Sequence, residues 1–334
     1  MSSIEKVVKV LRALVTGGSG FIGSYLINHL HSLGYDVCAL VRREASAHSL
    51  KASGCEVRVA DLKERNMLTG LLDDVDYVFH LAGEITSVNK KSMWLSNVIG
   101  TRNLLEEAVN KPIKKFIYSS SIGAMGTTGK ITADEGVSME IPSGDYYSIT
   151  KHDAEKLCLK YHNENKVPVV ILRIPAVYGR NNALIENFYG FIKAGIMPYL
   201  GDGSALLSWV NVLDLVRFME ECSRSVYGNG EVFIVCDDNP VKMKDYIDSI
   251  CTMISGRKPF WTMPIWMLHF AAFTVEMSAK VLRKKPFLTR QFINFIDEDH
   301  VCSNEKACRV LGFRPSFEDS LAGISESIKE TCSI

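Results

Sequence analysis

Six apolar runs, each followed by a segment of different period, restrict this chain to one broad architecture. The runs are LRALVTG (11–17), DVCALVR (36–42), EVRVADL (56–62), YVFHLAG (77–83), KKFIYSS (114–120) and VPVVILRI (167–174). They are apolar almost throughout rather than alternating, as strands buried on both faces require. Helical patterns lie between them at 21–33, 64–72, 92–110 and 147–163. Strands separated by helices imply a parallel sheet covered on both faces, and right-handed crossovers make it doubly wound. The expected fold is α/β, a doubly wound parallel sheet with a smaller, mostly helical C-terminal lobe.

After about residue 178 the pattern loosens. Glycine, proline and aromatic residues cluster at 179–209, a strand VFIVC returns at 232–236, and helical segments fill much of 241–330. Residues 1–178, completed by about 205–236, are therefore expected to form the sheet domain. Residues 179–204 and 237–334 are expected to form the second lobe.

At 334 residues the chain can bury a large core. Its 38 basic and 38 acidic residues cancel, so no global charge argues for nucleic acid or an anionic membrane as partner. Nine scattered cysteines with no CxxC pair suit a reduced, cytoplasmic compartment, and zinc-ligand spacing is absent, so no metal is expected. The opening MSSIEKVVKVLRALVTGG reads as a lead into a first strand rather than a signal peptide. The apolar run PIWMLHFAAFTV (264–275) is too short to cross a bilayer.

The first strand runs into TGGSGFIGSYL, which opens a helix. Gly17, Gly20 and Gly23, with Phe21 and Ile22 between them, let the backbone turn tightly and approach a pyrophosphate, which a helix N-terminus favours electrostatically. The second strand ends Leu40-Val41-Arg42-Arg43, with no carboxylate to meet ribose hydroxyls. An arginine fork suits a 2′-phosphate, so NADP is favoured over NAD, and Arg42 is its candidate ligand.

SGDYYSITKHDAE (143–155) places two tyrosines shortly before a lysine. On a helix Tyr147 and Lys151 share a face and Tyr146 points away. At ~4 Å, with an effective dielectric of ~20, the phenolate–ammonium attraction is roughly 4 kcal/mol. That would bring the phenol from about 10 to about 7, where it exchanges protons. A second Tyr-x-x-x-Lys, Tyr189 to Lys193, has the same spacing, so spacing alone does not choose between them.

The order of these pieces resembles the extended short-chain dehydrogenase/reductase family over nearly the whole chain. TGGSGFIG is similar to its glycine loop, and ADL (60–62) to its adenine contact, which implies Asp61 and Leu62. FHLAG (79–83) resembles the loop beneath the cofactor, implying Leu81, Ala82 and Gly83. NVIGTRNLLEEA, from Asn97, resembles the central helix. IYSSS (117–121) resembles the strand end that brings Ser119 to the cofactor and delivers the catalytic serine, here Ser121. YYSITKHDAE resembles the Tyr-x-x-x-Lys helix, with Thr150 where serine is commoner. LRIPAVYGR (172–180) resembles the segment near the nicotinamide, implying Ile174.

By this resemblance Tyr147 is the catalytic residue, Tyr189 is coincidental and Tyr146 is a wall of the site. Tyr147 would donate or remove a proton, Lys151 would lower its pKa and hold the nicotinamide ribose, and Ser121 would bind the substrate oxygen. Smaller signals stay open. Asp61 can cap a following helix as well as meet adenine, His80 can be a satisfied core histidine, and Asn97 an ordinary helix residue.

The expected activity is that of an NADP-dependent oxidoreductase on a secondary alcohol or ketone of a largely apolar small molecule. A nucleotide-sugar epimerase or dehydratase is the first alternative, and a cofactor-sensing protein without catalysis the second. Family members that hold a nucleotide diphosphate place an arginine where GDGSALLSWVNVLDL has Leu206, Leu207 and Ser208; Arg180 and Lys193 are candidate replacements. Trp209, Trp261, Trp266 and Phe270 are expected to form an apolar wall. The segment 261–289 is similar to the corresponding part of 3β-hydroxysteroid dehydrogenase-like and dihydroflavonol-reductase-like members. A substrate wall or lid is favoured there over an interfacial membrane helix. The helices at 92–110 and 147–163 can pair with a second subunit, as a homodimer.

Overall fold

The structure is a computed structural model that describes residues 10–52, 54–86, 89–180, 183–282, 284–317 and 320–332. Seven strands form the central parallel sheet: β1 (Arg12–Thr16), β2 (Asp36–Val41), β3 (Glu56–Val59), β4 (Tyr77–His80), β5 (Lys115–Ser121), β6 (Val169–Ile174) and β7 (Glu231–Ile234). Their order across the sheet is β7-β6-β5-β4-β1-β2-β3, every pairing parallel. Ala13, Leu14, Val15, Phe79 and Ile117 are fully buried, so the apolar runs are interior strands covered on both sides. The last strand, β3, is an edge. Its Glu56 and Arg58 form an ion pair, which suits an edge open to water.

The helices used below are α1 (Phe21–Ser32), α2 (Gly100–Ala108), α3 (Tyr146–Asn165), α4 (Val212–Arg224), α5 (Met243–Ser255), α6 (Ile265–Leu282), α7 (Arg290–Asp297) and α8 (Ser320–Cys332). One expected helix does not form. The 64–72 segment makes a single 3₁₀ turn, Arg65–Leu68, and then turns away. Gly70 adopts φ +77° there, and its N–H is taken by Glu107 Oε1 at 2.9 Å rather than by a helical carbonyl.

The helix expected at 92–110 starts at Lys90 and carries a π turn, Leu95–Ile99, before α2. Such a turn widens one helical repeat and is commonest at functional sites.

The order of strands reverses between β4 and β1, so a crevice opens at the carboxyl ends of those strands. The second lobe closes that crevice from above. Its core joins Leu200, Trp209, Tyr246, Leu268, Ile293 and Ile328. Beyond β7 the chain does not stay in that lobe, because Ala307 and Phe313 pack back into the core beneath the sheet.

Candidate active site

One cavity of about 1060 Å³ fills the crevice, and the carboxyl end of each of the first six strands reaches it. Gly17, Gly20, Phe21, Ile22 and Gly23 line it after β1, and Arg42 after β2. Asp61 and Leu62 follow β3, and Leu81, Ala82 and Gly83 follow β4. Ser119, Ser121, Tyr147, Lys151 and Ile174 line the far part. The residues that the sequence singles out for cofactor and catalysis thus lie on one surface.

The loop after β1 fits a bound pyrophosphate. Gly20 caps α1 in extended conformation, with no side-chain cap and no acidic residue in the first turn. The first-turn N–H groups have no partner within the helix and are left for an anion. The loop is also closely packed. A Cβ on Gly17 would lie 2.9 Å from Ala82 N, and one on Gly23 only 2.3 Å from Gly17 O.

Within an ordinary helix Gly→Ala stabilises by about 1 kcal/mol. At Gly23 the added methyl meets backbone, which cannot swing aside. Gly23→Ala is therefore expected to weaken cofactor binding by roughly tenfold or more, the scale of overpacking. Gly190→Ala, with open space around its Cβ, should leave it unchanged. Fluorescence titration with NADPH checks this, and equal affinities in the two variants would contradict it.

Three side chains, Thr16, His80 and Thr101, tie the loop after β4 to the helix behind it. Thr101 Oγ1 donates to Asn97 O at 2.6 Å, so it accepts from His80 Nε2 at 2.9 Å. His80 Nδ1 then accepts from Thr16 Oγ1 at 2.7 Å, and Thr16 in turn accepts the Ala82 N–H at 3.1 Å. Burial pushes His80 down to about 3, so it stays neutral and holds the tautomer this chain of bonds demands. It is a satisfied core histidine.

Asn97, on the π turn, does more than an ordinary helix residue. Its Oδ1 accepts Glu84 N at 2.7 Å, and its Nδ2 donates to Glu84 O at 3.0 Å and to Thr150 Oγ1 at 2.9 Å. It joins the loop after β4 to α3. Asp61 caps no helix: its Oδ1 accepts Lys63 N at 3.0 Å in a turn, the 3₁₀ turn that follows starts from Glu64 without a side-chain cap, and Asp61 itself lines the cavity.

Asp145 caps α3 and accepts Ser148 N at 3.1 Å, which sets the phase of the helix. Lys151 is buried, donates to Ser119 O at 2.6 Å and sits 5.9 Å from the Tyr147 ring centre. The expected lowering of the phenol pKa is not found here. Burial pushes Tyr147 up to about 12, and a hydrogen bond with Ser121 offsets only part of that. Burial also lowers Lys151 to about 8. Burial disfavours the charged form of both groups, so phenol and ammonium shift toward neutrality together, which spacing along a helix does not reveal.

Four other expectations are corrected. Tyr146 does not line the cavity but is held by Lys90, whose ammonium lies 3.7 Å over its ring. Trp209 stacks on Tyr246 inside the second lobe, with ring centres 4.4 Å apart. Trp261, Trp266 and Phe270 are exposed and away from the cavity. Neither Arg180 nor Lys193 reaches the cavity, and Tyr189 with Lys193 forms an exposed pair on the helix Ala183–Lys193.

Sequence reasoning missed the opposite wall and one acid. The wall comes from α7 and its approach, with Lys285, Gln291, Phe292, Asn294 and Phe295. The acid is Glu84, next after Gly83. Its Oε1 accepts from Ser92 Oγ at 3.0 Å and lies 3.9 Å from Arg42 Nη1. Reading the cofactor loop one residue further would have found it.

Comparison with known proteins agrees with this geometry. Residues 13–236 match the family model described as the NAD dependent epimerase/dehydratase family. The Arabidopsis thaliana protein named 3beta-hydroxysteroid-dehydrogenase/decarboxylase isoform 2 is 23% identical over 95% of this chain, which spans 61% of that relative's length. Sterol-4-alpha-carboxylate 3-dehydrogenase, decarboxylating, of Mus musculus is 24% identical over 97% of this chain and 90% of its own. A crystal structure of UDP-glucuronic acid 4-epimerase from Bacillus cereus, in complex with UDP-glucuronic acid and NAD, superposes with TM-score 0.75. It is 23% identical, with 96% of this chain and 99% of that one covered, and shares the fold.

Proposed function

The chain belongs to the NAD-dependent epimerase/dehydratase family of extended short-chain dehydrogenases and reductases, and within it we propose an NADP-dependent oxidoreductase acting on a secondary alcohol or ketone. The observation that carries this reading is the single cavity that joins the glycine loop to Ser121, Tyr147 and Lys151. A bound nicotinamide cofactor supplies or accepts the hydride. Tyr147 gives its proton to the carbonyl oxygen or takes it from the alcohol, and Ser121 hydrogen-bonds that oxygen. Lys151, fixed by Ser119 O, presents its charge to Tyr147 and the ribose.

Arg42 is proposed to select NADP. It lines the cavity at the end of β2, where an NAD enzyme usually has a carboxylate. Losing a charge-assisted contact costs about 1.5–3 kcal/mol, or roughly ten- to a hundredfold. Arg42→Ala should weaken NADPH by that factor and leave NADH almost unchanged, measured by titration of each cofactor. Equal losses would give Arg42 a structural role, in holding Glu84.

The substrate is proposed to be largely apolar, against Phe292, Phe295, Ile85 and Ile174. The sterol-directed names of the Arabidopsis and mouse relatives support that class. Lys285 on the same wall supports a second reading, a nucleotide sugar whose diphosphate would need such a cation. Calorimetry on the NADP-loaded chain separates them. Cyclic ketones or sterol alcohols should bind, and micromolar binding of a UDP-sugar that Lys285→Ala abolishes would reverse the order.

A further inference from the structure

The helix α6 carries its apolar residues on the wrong side for a surface facing water. Its inward face is narrow: Leu268, Ala272 and Ala279 are buried, and Ile265, Ala271 and Val275 are partly buried against the lobe's core. Trp266, Phe270, Phe273, Met277 and Val281 follow one another at spacings of four and three residues, so they form one stripe along the helix. That stripe faces outward, with Trp266 71%, Phe270 67% and Val281 78% exposed. Phe260, just before the helix, and Phe287, just after it, are also exposed. Single exposed apolar residues are normal, but a continuous stripe of this size marks a surface that meets something.

The expected apolar run of 264–275 proves to be part of an 18-residue helix, and by length and composition alone it passes as a membrane span. Its packing argues against crossing. Leu268 and Ala272 lie in the core of the second lobe, and Ala279 is buried two turns further along. The strand Thr262–Met263 before it pairs with Tyr199–Leu200. Arg290, at the start of α7, donates to Glu276 through its backbone N at 2.8 Å and its Nε at 2.9 Å. Both ends of α6 are thus anchored to the same lobe.

Charge identifies the occupant. Lys280 and Lys284 are exposed at the C-terminal end of the stripe, and Glu276, the acid within α6, is engaged by Arg290. The whole chain is neutral, but this edge is positive. We propose that α6 is a monotopic anchor lying in the headgroup layer of a bilayer that contains anionic lipid. Trp266, Phe270, Phe273 and Met277 enter the acyl boundary, and Lys280 and Lys284 meet the lipid phosphates. The helix α7 packs on α6 and supplies Phe292 and Phe295 to the cavity, so the anchored face lies one helix from the crevice. That link to an apolar substrate rests on the proposed function. Vesicle binding does not, because it is read without turnover.

The test is co-sedimentation of the full chain with phosphatidylcholine vesicles, with and without phosphatidylserine, alongside tryptophan emission. The chain should bind the anionic vesicles with a blue shift of its emission, and added salt should weaken binding. Phe270→Glu with Phe273→Glu should reduce binding by roughly tenfold or more, and Lys280→Glu with Lys284→Glu by about as much. NADPH affinity should be unchanged in both pairs, showing that the fold is intact. Absence of wild-type binding, or equal binding by the Phe270/Phe273 variant, would overturn the proposal. So would a dimer in light scattering that the same variant converts to monomer, since the stripe would then belong to a second copy of this chain.

Discussion

Tyr147→Phe is expected to bind NADPH nearly as the wild type does and to lose turnover by about 10²–10⁴, the usual contribution of a positioned proton donor. The substitution removes one hydroxyl and leaves the ring at the cavity wall, so the loss reads proton transfer rather than packing. Tyr146→Phe should lose far less, because Tyr146 faces Lys90 outside the cavity. The raised pKa gives the effect a direction. A phenol pushed up to about 12 by burial carries its proton throughout the physiological range, so it stands ready as an acid for carbonyl reduction. Alcohol oxidation needs the phenolate, so its rate should climb with pH while reduction does not. Steady-state rates in both directions check this. Normal activity in Tyr147→Phe would remove Tyr147 from the mechanism.

Arg173→Met is expected to cost about 3–5 kcal/mol of stability, the scale on which breaking a buried ion pair leaves one charge without compensation. Arg173, near the end of β6, meets Glu155 of α3 through Nη2 at 2.9 Å and Nε at 3.1 Å. Glu155 is 4% exposed and also accepts from Ser120 Oγ at 2.6 Å. The cluster clamps α3 to β5 and β6 one turn beyond Lys151, so it holds that helix in register against the sheet. Removing both charges, as in Arg173→Met with Glu155→Leu, should cost less than the single change. Urea unfolding measures each. A loss below about 1 kcal/mol for Arg173→Met would place this pair with weak surface bridges instead.

What was legible in the sequence was what local spacing dictates. The strand runs, the Gly17–Gly23 loop and the Tyr147–Lys151 phase depend on residues a few positions apart, and the structure places them as expected. The misplaced elements depend on distant partners. Gly70 breaks its helix because Glu107, far along the chain, takes its N–H. The titration of Tyr147 follows from enclosure by the whole site, which a pairwise spacing does not contain. The opposite wall arrives on α7 from the second lobe, where no motif marks Phe292 or Phe295. For α6, an apolar pattern reads the same whether the helix faces a substrate or the exterior. Only the packing of Leu268, Ala272 and Ala279 on its other face decides.

The central claim is that this cavity moves a hydride between NADP(H) and a carbonyl carbon while Tyr147 moves the proton. The direct measurement follows the label from NADPH deuterated at the nicotinamide C4 position, incubated with cyclic ketones and sterol ketones and read by mass spectrometry. Deuterium is expected at the new carbinol carbon, matched by NADPH oxidation, with both lost in Tyr147→Phe. Interconversion of a UDP-sugar without net cofactor oxidation, and no label in any alcohol, would contradict it.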